Sequence, residues 1–257
     1  MVVAPLAQLT RTGAVAPASA GTVAAGRSFP LLPVFSSLLP TAAVQRGSVV
    51  ACRGHAAMGL AAAVVAGPCA AGSWVAVAGL PSLGLSAMAE AGVPLQRLVA
   101  VAESAGAPFT ESQWADLLAA MVDGFEVVMV GPGAQRVRAA TARRLVARAQ
   151  SKGVLVVAVD NVAFGADLVL QGTRARWCGV GQGHGIARRR LLDVEVSGRR
   201  MPRPGRAQWW LPGPDGGVHL ADPADAIGTA DTVGVSGAPV VSPTEGQQVV
   251  VPLRRTG

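Results

Sequence analysis

Residues 47–65, GSVVACRGHAAMGLAAAVV, decide how the rest of the chain is read. Two β-branched residues, Val49 and Val50, begin a short strand, and an alanine-rich helix closes the stretch. Between them lies Gly54-His55-Ala56-Ala57-Met58-Gly59. Strand, glycine loop and helix form the setting of a phosphate-cradling loop, whose pattern G-x-x-x-x-G continues with Lys and then Ser or Thr. The lysine reaches the β- and γ-phosphates and the hydroxyl ligates Mg²⁺. Leu60 and Ala61 stand in those two places. The spacing therefore predicts a loop that keeps its shape and lacks both groups that handle nucleotide. In a chain with 32 glycines the spacing also arises by chance, so the surrounding elements must give it meaning.

The chain has 257 residues, of which 51% are hydrophobic and 14% charged, enough apolar material for one large domain. Its one lysine is Lys152, and the arginine excess fits the codon bias of a GC-rich genome. A net charge of +7 allows attraction to nucleic acid or an acidic partner without establishing either. Cys52, Cys69 and Cys178 are scattered and form no C-x-x-C pair, so buried thiols are expected rather than disulfides or a zinc site. The start, MVVAPLAQLT, carries no basic segment and is interrupted by Pro5, so no signal peptide is expected. The uncharged stretch Ala56–Ala89 is cut by Gly67-Pro68, Gly72 and Pro81, too short a run for a membrane span of about 20 residues.

Three regions follow from composition. Residues 1–28, rich in Ala, Pro, Gly, Ser and Thr, read as a flexible arm, 29–213 as the core domain, and 214–257 as a Gly/Pro-rich tail with an apolar end at Gln248–Leu253. Phe29–Val34 is expected to pack extended against the core. Further strands are predicted at Trp74–Ala78, Leu98–Ala102, Phe125–Val130 and Val154–Val159, and helices at about Leu83–Ala91, from Thr110 to Asp123, and at Ala139–Gln150. Trp114, Leu117, Leu118 and Met121 share one face of the second of these helices. Apolar strands alternating with helices indicate a mainly parallel α/β sheet covered on both faces. From Ala166 the rhythm changes to strands alone, ADLVL, RRLLDVEV and AQWWL, expected as antiparallel hairpins extending one edge. The glycine run 179–185 precedes a strand rather than a helix and reads as a hairpin loop, not an anion site.

This order of elements, over about Gly47–Gly213, resembles the ATPase core of the RecA family. The resemblance is carried by GSVVACRGHAAMGLA, WVAVAGLPSLGLSAMAEAGVPLQRLVAV, DGFEVVMV, RRRLLDVEVSGRR and RAQWWLPG. It implies a RecA-like P-loop NTPase fold. In its register Leu80 falls at the catalytic glutamate and Gly131 at the Walker B aspartate. With Leu60 and Ala61, four requirements for phosphoryl transfer are absent, which implies a pseudo-ATPase with no catalytic residue and no cofactor. The family's DNA-contacting loops are reduced to about 131–138 and 160–165, and Asn161 falls at a polar sensor position.

Within that family the stretches SWVAVAGLPSLGL, LLAAMVDGFEVVMV, RARWCGVGQGHGIARRR and the WLPG end are similar to the ImuA-like proteins of actinobacterial, mycobacterial-type mutasomes. That similarity implies a cytoplasmic, SOS-induced adaptor, associated with the nucleoid during DNA damage. Its implied partner is an ImuB-type inactive Y-family polymerase homologue, and through it an error-prone replicative-type polymerase and the sliding clamp. RecA and a weak DNA contact are further candidate partners. The other readings are a nucleotide binder without hydrolysis, a modulator of RecA filaments, and a DNA-binding module.

The DNA-binding alternative rests on the nine arginines of Arg174–Arg206, densest at Arg188, Arg189 and Arg190, set against Asp193 and Glu195. Strand ends in an arginine-rich chain explain them as well. Trp209 and Trp210, adjacent on a strand, must face opposite sides, so one indole is expected in the core and the other outward, unless something covers it. An outward Trp suits an interface, and packing beneath the N-terminal arm is the alternative. His55, His184 and His219 are too dispersed for a metal site.

Overall fold

Runs such as VVMV and LVVAV, apolar at every position, suit only strands covered on both faces. The computed structural model, which describes residues 26–103, 107–181, 184–199, 201, 203–222 and 232–235, places them so. Its elements in chain order are β1 (Ser28–Pro30), β2 (Ala43–Gln45), β3 (Val49–Gly54), α1 (Ala57–Ala70), β4 (Val75–Ala78), α2 (Leu85–Glu90), β5 (Leu98–Val101), α3 (Glu111–Gly124), β6 (Val127–Val130), α4 (Ala139–Lys152), β7 (Leu155–Val159), β8 (Leu168–Gly181), β9 (His184–Gly198), β10 (Gly205–Trp210), β11 (His219–Leu220) and β12 (Thr232–Val235). The large sheet has the order β11-β10-β9-β8-β3-β7-β6-β4-β5. Strands β3 to β8 are parallel neighbours, whereas β9, β10 and β11 are added antiparallel. β12 pairs antiparallel with the far half of β8, beyond the end of β3. All residues of β4, β6 and β7 are buried.

One face of the sheet is covered by α1 and the other by α3 and α4. α1 is apolar all round, and its middle is sealed by the N-terminal segment: Phe29 and Phe35 are buried in the same layer. The break expected at Gly67-Pro68 does not occur, because α1 runs through Pro68 to Ala70. Proline inside a helix costs about 3 kcal/mol. Burying Leu60, Val64 and Val65, at about 1.5–3 kcal/mol each, outweighs that. Gly67 lies so close to the segment above it that a Cβ there would stand 2.5 Å from the Pro30 carbonyl oxygen.

α3 starts as expected at Thr110. The Thr110 hydroxyl accepts the Gln113 N–H and the Gln113 side chain accepts the Thr110 N–H, a capping box. Trp114, Leu117, Leu118 and Met121 are all buried. α4 ends at Gly153, in the left-handed conformation at φ 71°.

The C-terminal strands are longer than their apolar cores suggest. β8 spans 14 residues and β9 spans 15, so most of the glycine run 179–185, expected as a hairpin loop, is strand. β11 and β12 also join the sheet from within the region assigned to a tail. Residues 223–231 and 236–257 of that region, and 1–25 of the expected arm, lie outside the described residues. Among the described residues no helix is long and apolar enough to cross a membrane.

Candidate functional site

At the carboxyl ends of the parallel strands the chain departs from the loop predicted for it. β3 stays paired through Gly54, opposite Gly172 of β8, and α1 begins at Ala57. Only His55 and Ala56 connect them, and the turn is made by left-handed residues, Gly54 at φ 73° and Ala56 at φ 60°. Gly59 is therefore the third residue of the helix rather than the end of a cradle. The expected loop shape is lost because strand and helix each extend into it. β8 closes over what remains: the His55 N–H donates to the Gly172 carbonyl at 2.9 Å, and a Cβ on Gly172 would stand 1.9 Å from the His55 oxygen. Leu211 packs against Gly59, 3.3 Å from where its Cβ would be. Leu60 and Ala61, in the lysine and hydroxyl positions, are completely buried in the layer beneath. An ammonium at position 60 would lie in an apolar core without a partner.

The other two positions lie against each other. Gly131 follows β6, and its N–H donates to the Ala78 carbonyl at 2.9 Å. A Cβ on Gly131 would lie 2.2 Å from the Gly79 oxygen and 2.3 Å from Leu80 Cδ2. The Leu80 side chain thus fills the volume a Walker B carboxylate would need. Asn161 is buried and committed to the backbone: its amide donates to the Gly131 carbonyl at 2.8 Å and its oxygen accepts the Ala163 N–H at 3.0 Å. It fastens the turn after β7 to the end of β6.

Sequence reading overlooked Asp160, beside it. Asp160 is left-handed at φ 44°, and its carboxylate accepts the Gly54 N–H and lies near the Arg53 guanidinium. Partial burial raises its pKa above the usual carboxylate value, against the lowering effect of those two neighbours. A carboxylate of the chain itself, exposed at the end of β7, thus stands beside the loop amide that a phosphate would approach. Only the β7 register reveals this, since Asp160 N–H itself bonds to the Cys52 carbonyl of β3.

The arginine region does not form one patch. Arg206 pairs with Glu195 at 3.2 Å, Arg176 lies 3.9 Å from Asp193, and Gln208 donates to Asp193 at 2.6 Å. Arg189 stacks 4.2 Å over the Trp210 ring, and Arg190 lies 5.0 Å over Trp177 while its Nε donates to the Leu211 carbonyl at 2.7 Å. Burial lowers the Arg190 pKa. Arg188 is exposed.

Trp209 and Trp210 do face opposite sides, but both are buried, at 0% and 4% exposure. Trp209 meets Phe35 edge-on at 4.9 Å and donates from Nε1 to the Ser37 hydroxyl at 3.1 Å, beneath the N-terminal segment. Trp210 sits with Cys178, Leu191 and Ala221 under Arg189. The outward indole expected for an interface is covered by the chain itself.

Cys52, Cys69 and Cys178 are buried free thiols. Burial pushes Cys69 up to about 11 and Cys52 further, which removes thiolate reactivity at neutral pH. Among the described residues no cluster of three His, Cys, Asp or Glu side chains could hold a metal ion.

Residues 37–163 match the family model described as the MT3502 N-terminal domain, a little under half of the chain. No curated protein matches. Among solved structures the chain is similar to the RadB recombinase, with a TM-score of 0.52 and 13% identity over 74% of this chain and 97% of that one. The fold is that of RecA-like recombinases, a mostly parallel sheet with helices on both faces and antiparallel strands at one edge.

Proposed function

We propose that this chain is a RecA-like pseudo-ATPase of the ImuA-like kind. It acts as a non-catalytic adaptor in SOS-induced mutagenic translesion synthesis and binds an ImuB-type inactive polymerase homologue. The observation that carries the loss of catalysis is the contact between Leu80 and the bare Cα of Gly131. Two catalytic carboxylates are replaced by one apolar contact, in a place where no side chain at 131 fits. The burial of Leu60 and Ala61 supports the same reading from the phosphate side. The adaptor role rests on the similarity of residues 37–163 to the MT3502 N-terminal domain, together with the sequence stretches that resemble ImuA-like proteins.

The test is co-purification with an ImuB-type partner, with ATP titrated into the free chain by calorimetry in parallel. A stable complex and no heat of ATP binding are expected. Micromolar ATP binding would replace the pseudo-ATPase with a nucleotide binder. Absence of a complex, combined with arrested growth of RecA filaments, would replace the adaptor with a filament cap.

A further inference from the structure

At the amino ends of β3 and β8 the molecule holds a cavity of about 580 Å³. It is walled by the turn 45–48 between β2 and β3, by Gln150 of α4, by Asp167 and Leu168 at the start of β8, and by Arg199 just after β9. The altered catalytic positions lie beyond the opposite, carboxyl ends of the parallel strands, so this is a separate place in the fold.

Backbone contacts hold its walls. Asp167 grips Val49 twice: its N–H donates to the Val49 carbonyl at 2.9 Å, and its Oδ2 accepts the Val49 N–H at 2.9 Å. The Arg199 N–H donates to the Asp167 carbonyl at 3.1 Å, next to the pairing of Leu168 with Gly198. The turn 45–48 is pressed onto the end of α4. Gly47, left-handed at φ 80°, leaves no room there, since a Cβ would stand 2.9 Å from the Gln150 carbonyl oxygen. A cavity walled in this way is already formed, so a ligand loses little affinity to ordering it.

Two arginines line the cavity, and among the described residues neither has an ion-pair partner, unlike Arg136, Arg138, Arg148 and Arg206. Arg46 stacks 4.0 Å over the buried Phe29 ring, and its Nε is buried without a hydrogen-bond partner. Arg46 also borders a smaller cavity with Asp123 and Glu126. Those acids are engaged elsewhere: Asp123 with Arg148 and Lys152, Glu126 with the Trp74 N–H at 3.1 Å. Arg199 is exposed. The acid among the lining residues is Asp167, with one oxygen committed to Val49.

We propose that this cavity binds a small phosphate monoester. Two guanidinium groups match the nearly two negative charges of a phosphate at neutral pH, and its oxygens suit their forked donors. Ionised Asp167 only accepts hydrogen bonds, so it repels an anion without a hydroxyl and favours one that carries an O–H beside its charge. At about 30 Å³ per water the volume equals on the order of twenty waters, room for a phosphate and an attached group of sugar size. This inference goes beyond the adaptor role and does not depend on it.

The test follows thermal unfolding of the purified full chain at constant ionic strength, with ribose 5-phosphate, inorganic phosphate, sulfate or ribose added. An apparent dissociation constant is taken from each rise in Tm. Ribose 5-phosphate is expected to bind tightest, then inorganic phosphate, with sulfate and ribose weaker than the ester by about tenfold or more. Arg199→Gln should weaken the ester by about tenfold or more and leave the Tm of the free chain unchanged. Arg46→Gln should weaken it similarly and also lower that Tm, because Arg46 packs on Phe29. Asp167→Asn keeps an acceptor for the Val49 N–H and should narrow the gap between phosphate and sulfate. Arg143→Gln, at an exposed position of α4, should change nothing. Four results would overturn the proposal: no binding, binding that Arg199→Gln leaves intact, sulfate bound as well as the ester, or inorganic phosphate bound as tightly as the ester. Because no partner protein and no ATP is present, failure here is distinct from failure of the adaptor assignment.

Discussion

Position 131 tolerates hydrogen and nothing larger. A methyl group there would overlap the Gly79 carbonyl and the end of Leu80, and the carbonyl belongs to a turn that cannot give way as a flexible side chain can. Gly131→Ala is therefore expected to lower stability by about 1–3 kcal/mol, read from urea unfolding. Restoring the family's groups at 60, 61, 80 and 131 together should yield no ATP hydrolysis. The new lysine at 60 would be an unpaired cation in an apolar layer, and its cost should appear as a large loss of thermal stability. A variant that both folds and hydrolyses ATP would refute this account of the site. The losses are mutually dependent, since the leucine at 80 occupies space that glycine at 131 vacates.

At the scale of elements, α3 and α4 are tied by Asp123, which accepts Arg148 through both oxygens and Lys152 at 2.9 Å. The hydrogen bond from Arg148, the largest influence, holds the Asp123 carboxyl below its ordinary value of 3.8. The folded chain then binds fewer protons than the unfolded one just below that value. The stabilisation is accordingly complete above about pH 4 and is lost as pH falls through the lowered pKa. Both ends of the clamp are substantially exposed, so its contribution should be small and should shrink in high salt. Asp123→Asn is expected to flatten the acid limb of the stability–pH curve and to leave the curve above neutrality parallel to wild type. Thr110→Ala, which removes the capping box of α3, should cost about 1 kcal/mol at any of these pH values.

For the molecule as a whole, the decisive contact joins the two ends of the described chain. Phe35, in a 3₁₀ turn at Pro33–Ser37, meets Trp209 of β10 over the outer face of α1, and Ser37 accepts the indole N–H. The N-terminal segment is thereby part of the core rather than an appendage. Phe35→Ala and Trp209→Ala should each cost about 3–5 kcal/mol, with a double variant less destabilised than the sum because the two rings share one contact. Additive losses in urea unfolding would show that the segment and the strand are independent. Trp209→Ala consequently reports on folding and is unsuitable as a probe of a partner surface.

The sequence alone determined the alternation of strand and helix, the start of α3 at Thr110 and which residues stand at the four positions that align with the family's catalytic groups. Each is encoded locally, in side-chain period, a capping pair or the identity of one residue. Tertiary structure alone decided that the G-x-x-x-x-G stretch is not a cradle, that Pro68 does not end α1, and that Trp210 is covered. It also brought Leu80, Gly131 and Asn161 together from three separate loops, and it spread the arginines of β8, β9 and β10 among ion pairs and aromatic rings. Those outcomes depend on register and on which residues from distant parts of the chain share a volume. Local preferences of a few kcal/mol give way wherever burial of a long apolar helix or a continuous strand pair is worth more.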